Sequence, residues 1–350
     1  MNIRDIIKKE EYSFLKNNPL LKQIIFLTFG GSIAYGTNVP TSDVDIRGVC
    51  FESEDSLLGF NKFEVFENRE TDTNIYSFNK YLDLLIKGNP TAIEMLGCKQ
   101  EHYIITPEYK PCFDDLKENK SLFLSKNIVK TFGGYANQQL RRLQNAIARD
   151  SYPQIEKEKH MLKTMEYMYD SFQEKYNSFD NNSVVLKMRP SNKEDLEEEI
   201  FMDIALKEYP LRDFMNIYSE LNNVITSYNK LGNRNRKKGA NGLNKHAMHL
   251  IRLYLMVIDI LETKTIVTYR EKDLELLRGI RNGKYLKEDG TYDSTFFDLL
   301  NDIEQKFLYA KDNTDLPEKP NMEKLNDFKI EMNKAALIFD KMDFFKPSFM

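Results

Sequence analysis

Tryptophan is absent from the 350 residues, and cysteine and histidine are scarce, at three and four copies. Cys50, Cys98 and Cys112 make no CxxC pair and no Cys/His spacing. That argues against a disulfide framework or structural zinc and for a reducing compartment. His102, His160, His246 and His249 form no HExxH-type metal site. A basic excess is missing too. With net charge −4 and a pI near 5.8, the whole chain carries no footprint of a duplex binder, although a local basic groove stays open. No run approaches the ~20 apolar residues that a bilayer crossing needs. The charged start, MNIRDIIKKEEYSFLKNN, lacks the apolar stretch of a signal peptide. These absences predict a soluble, cytoplasmic protein with no membrane partner.

The 41% hydrophobic and 30% charged fractions are those of a globular protein. The length suffices for two domains, each with its own core. Residues 1–18 read as an amphipathic helix. Gln23 to Phe29 (QIIFLTF) suits a buried strand. After GGSIAYGT comes the turn-forming Asn38-Val39-Pro40-Thr41-Ser42, and a second strand is predicted from Asp43 through DVDIRGVCF. Phe63–Phe66 and Glu70–Tyr76 supply a further strand or hairpin. Ser77 caps a helix, FNKYLDLLIK, that stops at Gly88-Asn89-Pro90, and Thr91 begins another. From about 121 the texture becomes helical: Ala136, Leu140, Leu143 and Ile147 recur at helical spacing, as do Ala247, Leu250, Tyr254, Val257 and Leu261. Residues 310–320 read as a linker to a last helix at 321–341.

Chemistry concentrates in FGGSIAYGTNVPTSDVDIRGV, residues 29–49. Along an extended strand, side chains two apart share a face, so Asp43 and Asp45 project together while Val44 and Ile46 point to the core. Two carboxylates so placed repel each other unless cations lie between them. Nucleotidyl transfer uses such cations, held roughly 3.5–4 Å apart. Oxygen-only ligands suit Mg²⁺, with Mn²⁺ as a substitute. Gly30, Gly31 and Ser32 follow the buried strand and open a helix, where a bare backbone approaches phosphate and the Ser32 hydroxyl adds a donor. Arg47 shares the face of Asp45; it is a candidate to neutralise a phosphate or orient a carboxylate, against the plainer role of surface ion-pair partner. Alone, GGS is a flexible turn and DxD a solvated strand edge. Their order within about twenty residues is what carries the functional reading.

GGSIAYGT followed by SDVDIRGV resembles the active-site signature of the DNA polymerase β-like nucleotidyltransferases. Tyr35-Gly36-Thr37 and Arg47-Gly48-Val49 make it similar to one bacterial and phage branch, the YcgL-type or RNA-repair-pathway nucleotidyltransferases. Asp72-Thr73-Asn74-Ile75-Tyr76, leading into Lys87-Gly88-Asn89-Pro90-Thr91 and Glu94, resembles that branch, as does Asn244 to Leu253 continuing to Leu277 and Ile280-Arg281-Asn282-Gly283. The resemblance implies an α+β fold: a palm with a short mixed sheet at 1–124, followed by a mainly α-helical domain at 125–350. Within the latter, about 155–235 has no counterpart and reads as a possible insertion. The resemblance also implies a third carboxylate on a neighbouring strand. Asp72 matches best, with Glu70 and Glu64 as alternatives, which makes Asp43, Asp45 and Asp72 the expected catalytic and metal-binding acids.

Lys245, His249 and Arg252 fall on one helical stripe. They read either as a solvated face or as contacts to a triphosphate, and the resemblance favours the second for His249 and Arg252. Gln138, Arg141 and Arg142 are weaker candidates of the same kind. The run Arg234-Asn235-Arg236-Lys237-Lys238 suits a nucleic-acid backbone or a solvated loop, and the acidic segment Glu194–Glu199 would face away from one. The expected activity is Mg²⁺-dependent transfer of a nucleoside monophosphate from an NTP to an acceptor hydroxyl, with an RNA 3′ end as the acceptor the resemblance implies. The alternatives are a protein side-chain acceptor, as in antitoxin-like nucleotidyltransferases, and a non-catalytic NTP-binding module.

Overall fold

In the computed structural model, which describes residues 2–147, 154–176, 183–193, 198–234, 240–288 and 292–341, the apolar run before the glycines is a strand buried along its whole length. The chain divides into two compact units: Met1–Gln139 with Ala247–Tyr285 and Asp293–Met350, and Leu140–His246 with Leu286–Tyr292. No helix among the described residues is long and apolar enough to cross a membrane.

The first unit is built on a five-stranded mixed sheet. Its strands are β1 (Ile24–Phe29), β2 (Ile46–Cys50), β3 (Val65–Asn68), β4 (Thr73–Ser77) and β5 (Tyr103–Ile105), in spatial order β3-β4-β2-β1-β5. The β2–β4 pair is parallel and the other three are antiparallel. The central strands β1 and β2 read as nearly continuous apolar runs because helices cover them. Phe26 of β1 meets the edges of Tyr81, Tyr103 and Phe113, with ring centroids 6.1, 5.9 and 5.1 Å away. Such edge-to-face contacts add to the ~1.5–3 kcal/mol that burying one large apolar side chain contributes.

Around this sheet stand α1 (Ile3–Ile6), α2 (Phe14–Asn17), α3 (Gly31–Tyr35), α4 (Glu54–Leu58), α5 (Phe78–Ile86), α6 (Pro90–Leu96) and α7 (Lys110–Glu118). The predicted single helix over 1–18 is instead three short pieces, α1, a 3₁₀ turn at Glu10–Tyr12, and α2. An unbroken helix would carry Tyr12 roughly 140° around from Ile7. The extended backbone at Lys9 resets the phase, so that Ile3, Ile6, Ile7, Tyr12 and Leu15 are all buried. The second strand also starts later than predicted, at Ile46 rather than Asp43. Pairing begins only where Phe29 and Thr73 stand opposite Ile46, and the turn before it is closed by Ser42, whose amide donates to the Val39 carbonyl while its hydroxyl accepts from the Val39 amide.

Helices α8 (Asn127–Ile147), α9 (Gln154–Lys175), α10 (Leu211–Arg234), α11 (Ala240–Thr263), α12 (Leu274–Arg281), α13 (Ser294–Asn313) and α14 (Met322–Lys341) make the rest of the chain mainly helical. From Ala247 onward α11 is buried on nearly every side, as an element inside a core must be. Within the first unit the last helix is held through Asp340, which accepts from Gln23 Nε2 and from the Glu54 amide, both at 2.8 Å. In the second unit a hairpin, β6 (Val184–Pro190) and β7 (Glu198–Ile204), packs with α9 and α10 over Met165, Phe172, Val184, Ile217, Leu221 and Val224. The hairpin lies in the segment for which sequence reading offered no counterpart.

Candidate active site

The end of β1 and the approach to β2 meet at the two glycines. The Gly30 amide donates to the Asp45 carbonyl at 2.9 Å, which brings the Asp45 side chain over the turn. Gly31 has φ +54, in the left-handed region, and begins α3. A β-carbon there would fall 1.8 Å from Asp45 Oδ2, and one on Gly30 would fall 3.0 Å from Arg47 Cγ. Asp45 and Arg47 therefore lie across a bare backbone, and at Gly31 a side chain would have to displace the Asp45 carboxylate. The first-turn amides of α3, those of Gly31 and Ser32, have no intrahelical acceptor. Ser32 is partly exposed at the start of that helix.

The parallel register of β2 and β4, with Ile46 opposite Thr73, puts Asp45 beside Asp72. The Asp72 carbonyl accepts from the Ile46 amide at 3.2 Å, and its φ of +43 marks the turn into β4. Arg47 joins the pieces. Its Nη1 donates to the carbonyls of Ile46 (2.9 Å) and Asp72 (2.6 Å), and its Nη2 donates to Asp72 Oδ1 (3.1 Å) and Asp45 Oδ1 (3.5 Å). Of the three acids considered for the neighbouring strand, Asp72 is the one this register brings to Asp45. Glu64 is held by Lys80 at 2.6 Å, which keeps its carboxyl below the usual range. Glu70 is exposed.

Asp43 and Asp45, expected to project together from one strand, both precede β2 and line different spaces. A cavity of about 140 Å³ has Gly30, Gly31, Asp45, Arg47, Thr91 and Glu94 in its wall. A wider cleft of about 410 Å³ holds Asp43 and Asp72 with Lys9, Tyr12, Arg69 and Glu70. Asp43 is exposed, and the Asp45 side chain is 19% exposed. Burial pushes the Tyr12 phenol up, with the charges of Glu11 and Asp45 adding to it. Among the described residues no group of three or more His, Cys, Asp or Glu is arranged to hold a metal ion. The donor chemistry of Asp43, Asp45 and Asp72 nonetheless suits a hard divalent cation, and two of these acids already converge on one cationic group, the Arg47 guanidinium. Cys98 also borders the smaller cavity, but burial pushes its thiol up to about 11, which leaves it no thiolate for nucleophilic work near neutral pH.

The stripe of Lys245, His249 and Arg252 divides in the structure. Lys245 is exposed, His249 is half-buried, and the Arg252 side chain is 5% exposed. Arg252 Nη1 donates to Glu94 Oε1 at 2.6 Å, and its guanidinium lies 3.7 Å over the Tyr35 ring. The Tyr35 hydroxyl donates to Glu94 Oε2 at 2.7 Å. Burial pushes that phenol far up, and Glu94 adds to the rise against the opposing charge of Arg252. The His249 ring meets Tyr35 edge-on at 5.8 Å. Arg252 is thus committed to clamping the end of α3 to α6. Arg278 helps, its Nε donating to the Gly36 carbonyl at 2.9 Å. Sequence reading noticed Tyr35 and Glu94 only through the family resemblance and assigned neither a role. A usable signal existed: Glu94 is the single charge of α6 and Arg252 the only Lys, Arg, Asp or Glu between Lys245 and Asp259 of α11, and buried charges require partners. Gln138 is exposed. The side chains of Arg141, Arg142 and the basic run 234–238 lie outside the described residues, as does the acidic stretch 194–197.

The chain is 27% identical over 123 residues to an uncharacterized 38.9 kDa protein in the nrdC-mobD intergenic region of Enterobacteria phage T4. That match covers 32% of this chain and 36% of the phage protein, about a third of its length. No solved structure matches. Residues 3–169, which contain the glycine turn, all three acids, Arg47 and Glu94, match the model of the RNA repair pathway DNA polymerase beta family.

Proposed function

We propose that the chain transfers a nucleoside monophosphate from an NTP to an acceptor hydroxyl. The family points to nucleotidyltransferase activity. The observation that carries the reading is the Asp45 carboxylate laid over Gly31, with Asp72 one strand away. In this reading Asp43, Asp45 and Asp72 hold Mg²⁺, or Mn²⁺ in its place. The ions supply charge neutralisation at the triphosphate and a more acidic acceptor hydroxyl. Gly30, Gly31 and Ser32 offer backbone and hydroxyl donors to phosphate oxygens. Asp72, which also borders the open cleft, accepts the acceptor's proton. The acceptor oxygen bonds to the α-phosphorus, the bond from that phosphorus to the bridging oxygen breaks, and pyrophosphate leaves. Arg252 and His249 act indirectly, by fixing Tyr35 and hence α3.

An RNA 3′ end is the acceptor proposed, because the family is one of RNA repair. Three free, buried cysteines accord with the cytoplasmic setting we assign. Incubation with α-labelled ATP and RNA or candidate proteins tests both parts. Label on RNA, lost in Asp45→Asn, is expected. Label on protein and none on RNA overturns the acceptor, and the absence of pyrophosphate release with every acceptor and NTP reduces the chain to a nucleotide-binding module.

A further inference from the structure

We infer that Arg47 is a built-in counter-cation that holds Asp45 and Asp72 together until a divalent ion takes its place, which makes it a positioning residue for the metal. The inference rests on the transferase reading and adds to it how the acid pair is kept ready. Two carboxylates brought side by side by a parallel register repel each other, and something positive must stand between them. Arg47 Nη2 does so, 3.1 Å from Asp72 Oδ1 and 3.5 Å from Asp45 Oδ1. The guanidinium is well shielded, its side chain being 15% exposed, so screening by solvent is weaker than at a surface pair.

Its four contacts fall into two sets. Nη1 is bound to two backbone carbonyls, those of Ile46 and Asp72, and these bonds do not depend on the carboxylates. The side-chain stem is fixed as well, its Cγ packed against Gly30 so closely that a β-carbon there would sit 3.0 Å away. Only the Nη2 contacts compete with a metal. When an ion binds the acids, Nη1 and the stem keep Arg47 where it is and Nη2 is released at the wall of the cavity that it shares with Gly30 and Gly31. A polyphosphate at that turn gains the freed donor. Metal and nucleotide consequently bind with positive coupling, since each relieves what the other must displace.

The test is Mn²⁺ binding, by calorimetry or electron paramagnetic resonance, to the full chain with and without ATP, alongside thermal melts. Arg47→Met keeps the stem and removes the charge. It is expected to bind Mn²⁺ alone on the order of tenfold more tightly than wild type and to lose most of the enhancement by ATP. Arg47→Lys keeps a charge but cannot make all four contacts, and should fall between; it decides the matter if the Met variant does not fold. Equal or weaker Mn²⁺ binding by these variants overturns the inference and leaves the transferase reading standing. No saturable, Asp45-dependent Mn²⁺ binding by any of the proteins, with or without ATP, overturns both.

Discussion

At Gly31 two independent constraints meet in one residue: a left-handed φ of +54 and an Asp45 oxygen where a β-carbon would go. Gly31→Ala therefore strains the backbone by about 1–2 kcal/mol and also drives the Asp45 carboxylate off the turn. Transfer should fall on the order of a hundredfold, the effect of a misplacement near 1 Å, while the fold persists in a circular dichroism melt. Glu94 makes the opposite kind of prediction, in which stability changes first. Removing it leaves the Arg252 guanidinium buried without its partner, so Glu94→Leu should lose about 3–5 kcal/mol in urea denaturation. The double variant Glu94→Leu with Arg252→Met should recover most of that loss, since an apolar pair of similar volume replaces the ions. If the double variant is no more stable than the single one, the ion pair is not the origin of the loss.

Local signals in the sequence were sufficient for several elements. Ser77 caps α5 through a bond to the Lys80 amide, as expected; α6 starts one residue earlier than expected, at Pro90, because Asn89 caps it through the Ala92 amide. Asn89→Ala should remove about 1 kcal/mol of stability by the same denaturation measurement; no loss would mean the cap is redundant. The buried run of β1 was equally legible, because it depends on its own residues; the linker to α14 was read from 310, but α13 runs to Asn313. The pieces that escaped depend on distant partners. The late start of β2 is set by where β1 and β4 can pair with it, and the broken N-terminal helix by the need to turn Tyr12 inward. At the candidate site, the glycine turn beside Asp45 was readable from order and spacing, whereas the common face expected for Asp43 and Asp45 required a strand that begins only at Ile46. The clamp of Tyr35, Glu94 and Arg252 was not, because it joins positions 158 residues apart for its ion pair.

For the molecule as a whole, the mainly helical character beyond about 125 was visible as periodicity, whereas the hairpin of the second unit was not, its strands lying in a segment without a recognised counterpart. Global stability should also respond to pH through His102, which lies between Phe29 and Tyr269. Burial depresses its basicity below the ordinary 6.5, Lys99 adds to this and Glu101 opposes it. Folding therefore favours the neutral ring. That contribution is complete above the unfolded value and is lost as pH falls through the lowered folded one. The melting temperature should drop between about pH 7 and 5, and His102→Phe should flatten the drop; an unchanged profile would assign it to other groups.

The most direct measurement is a crystal soaked with Mn²⁺ and a non-hydrolysable ATP analogue, with the ions located by anomalous scattering. The account predicts manganese between Asp45 and Asp72, with Asp43 completing the shell and the polyphosphate against Gly30 and Gly31. Manganese and nucleotide bound away from these acids, with Arg47 still bridging Asp45 and Asp72, would contradict it.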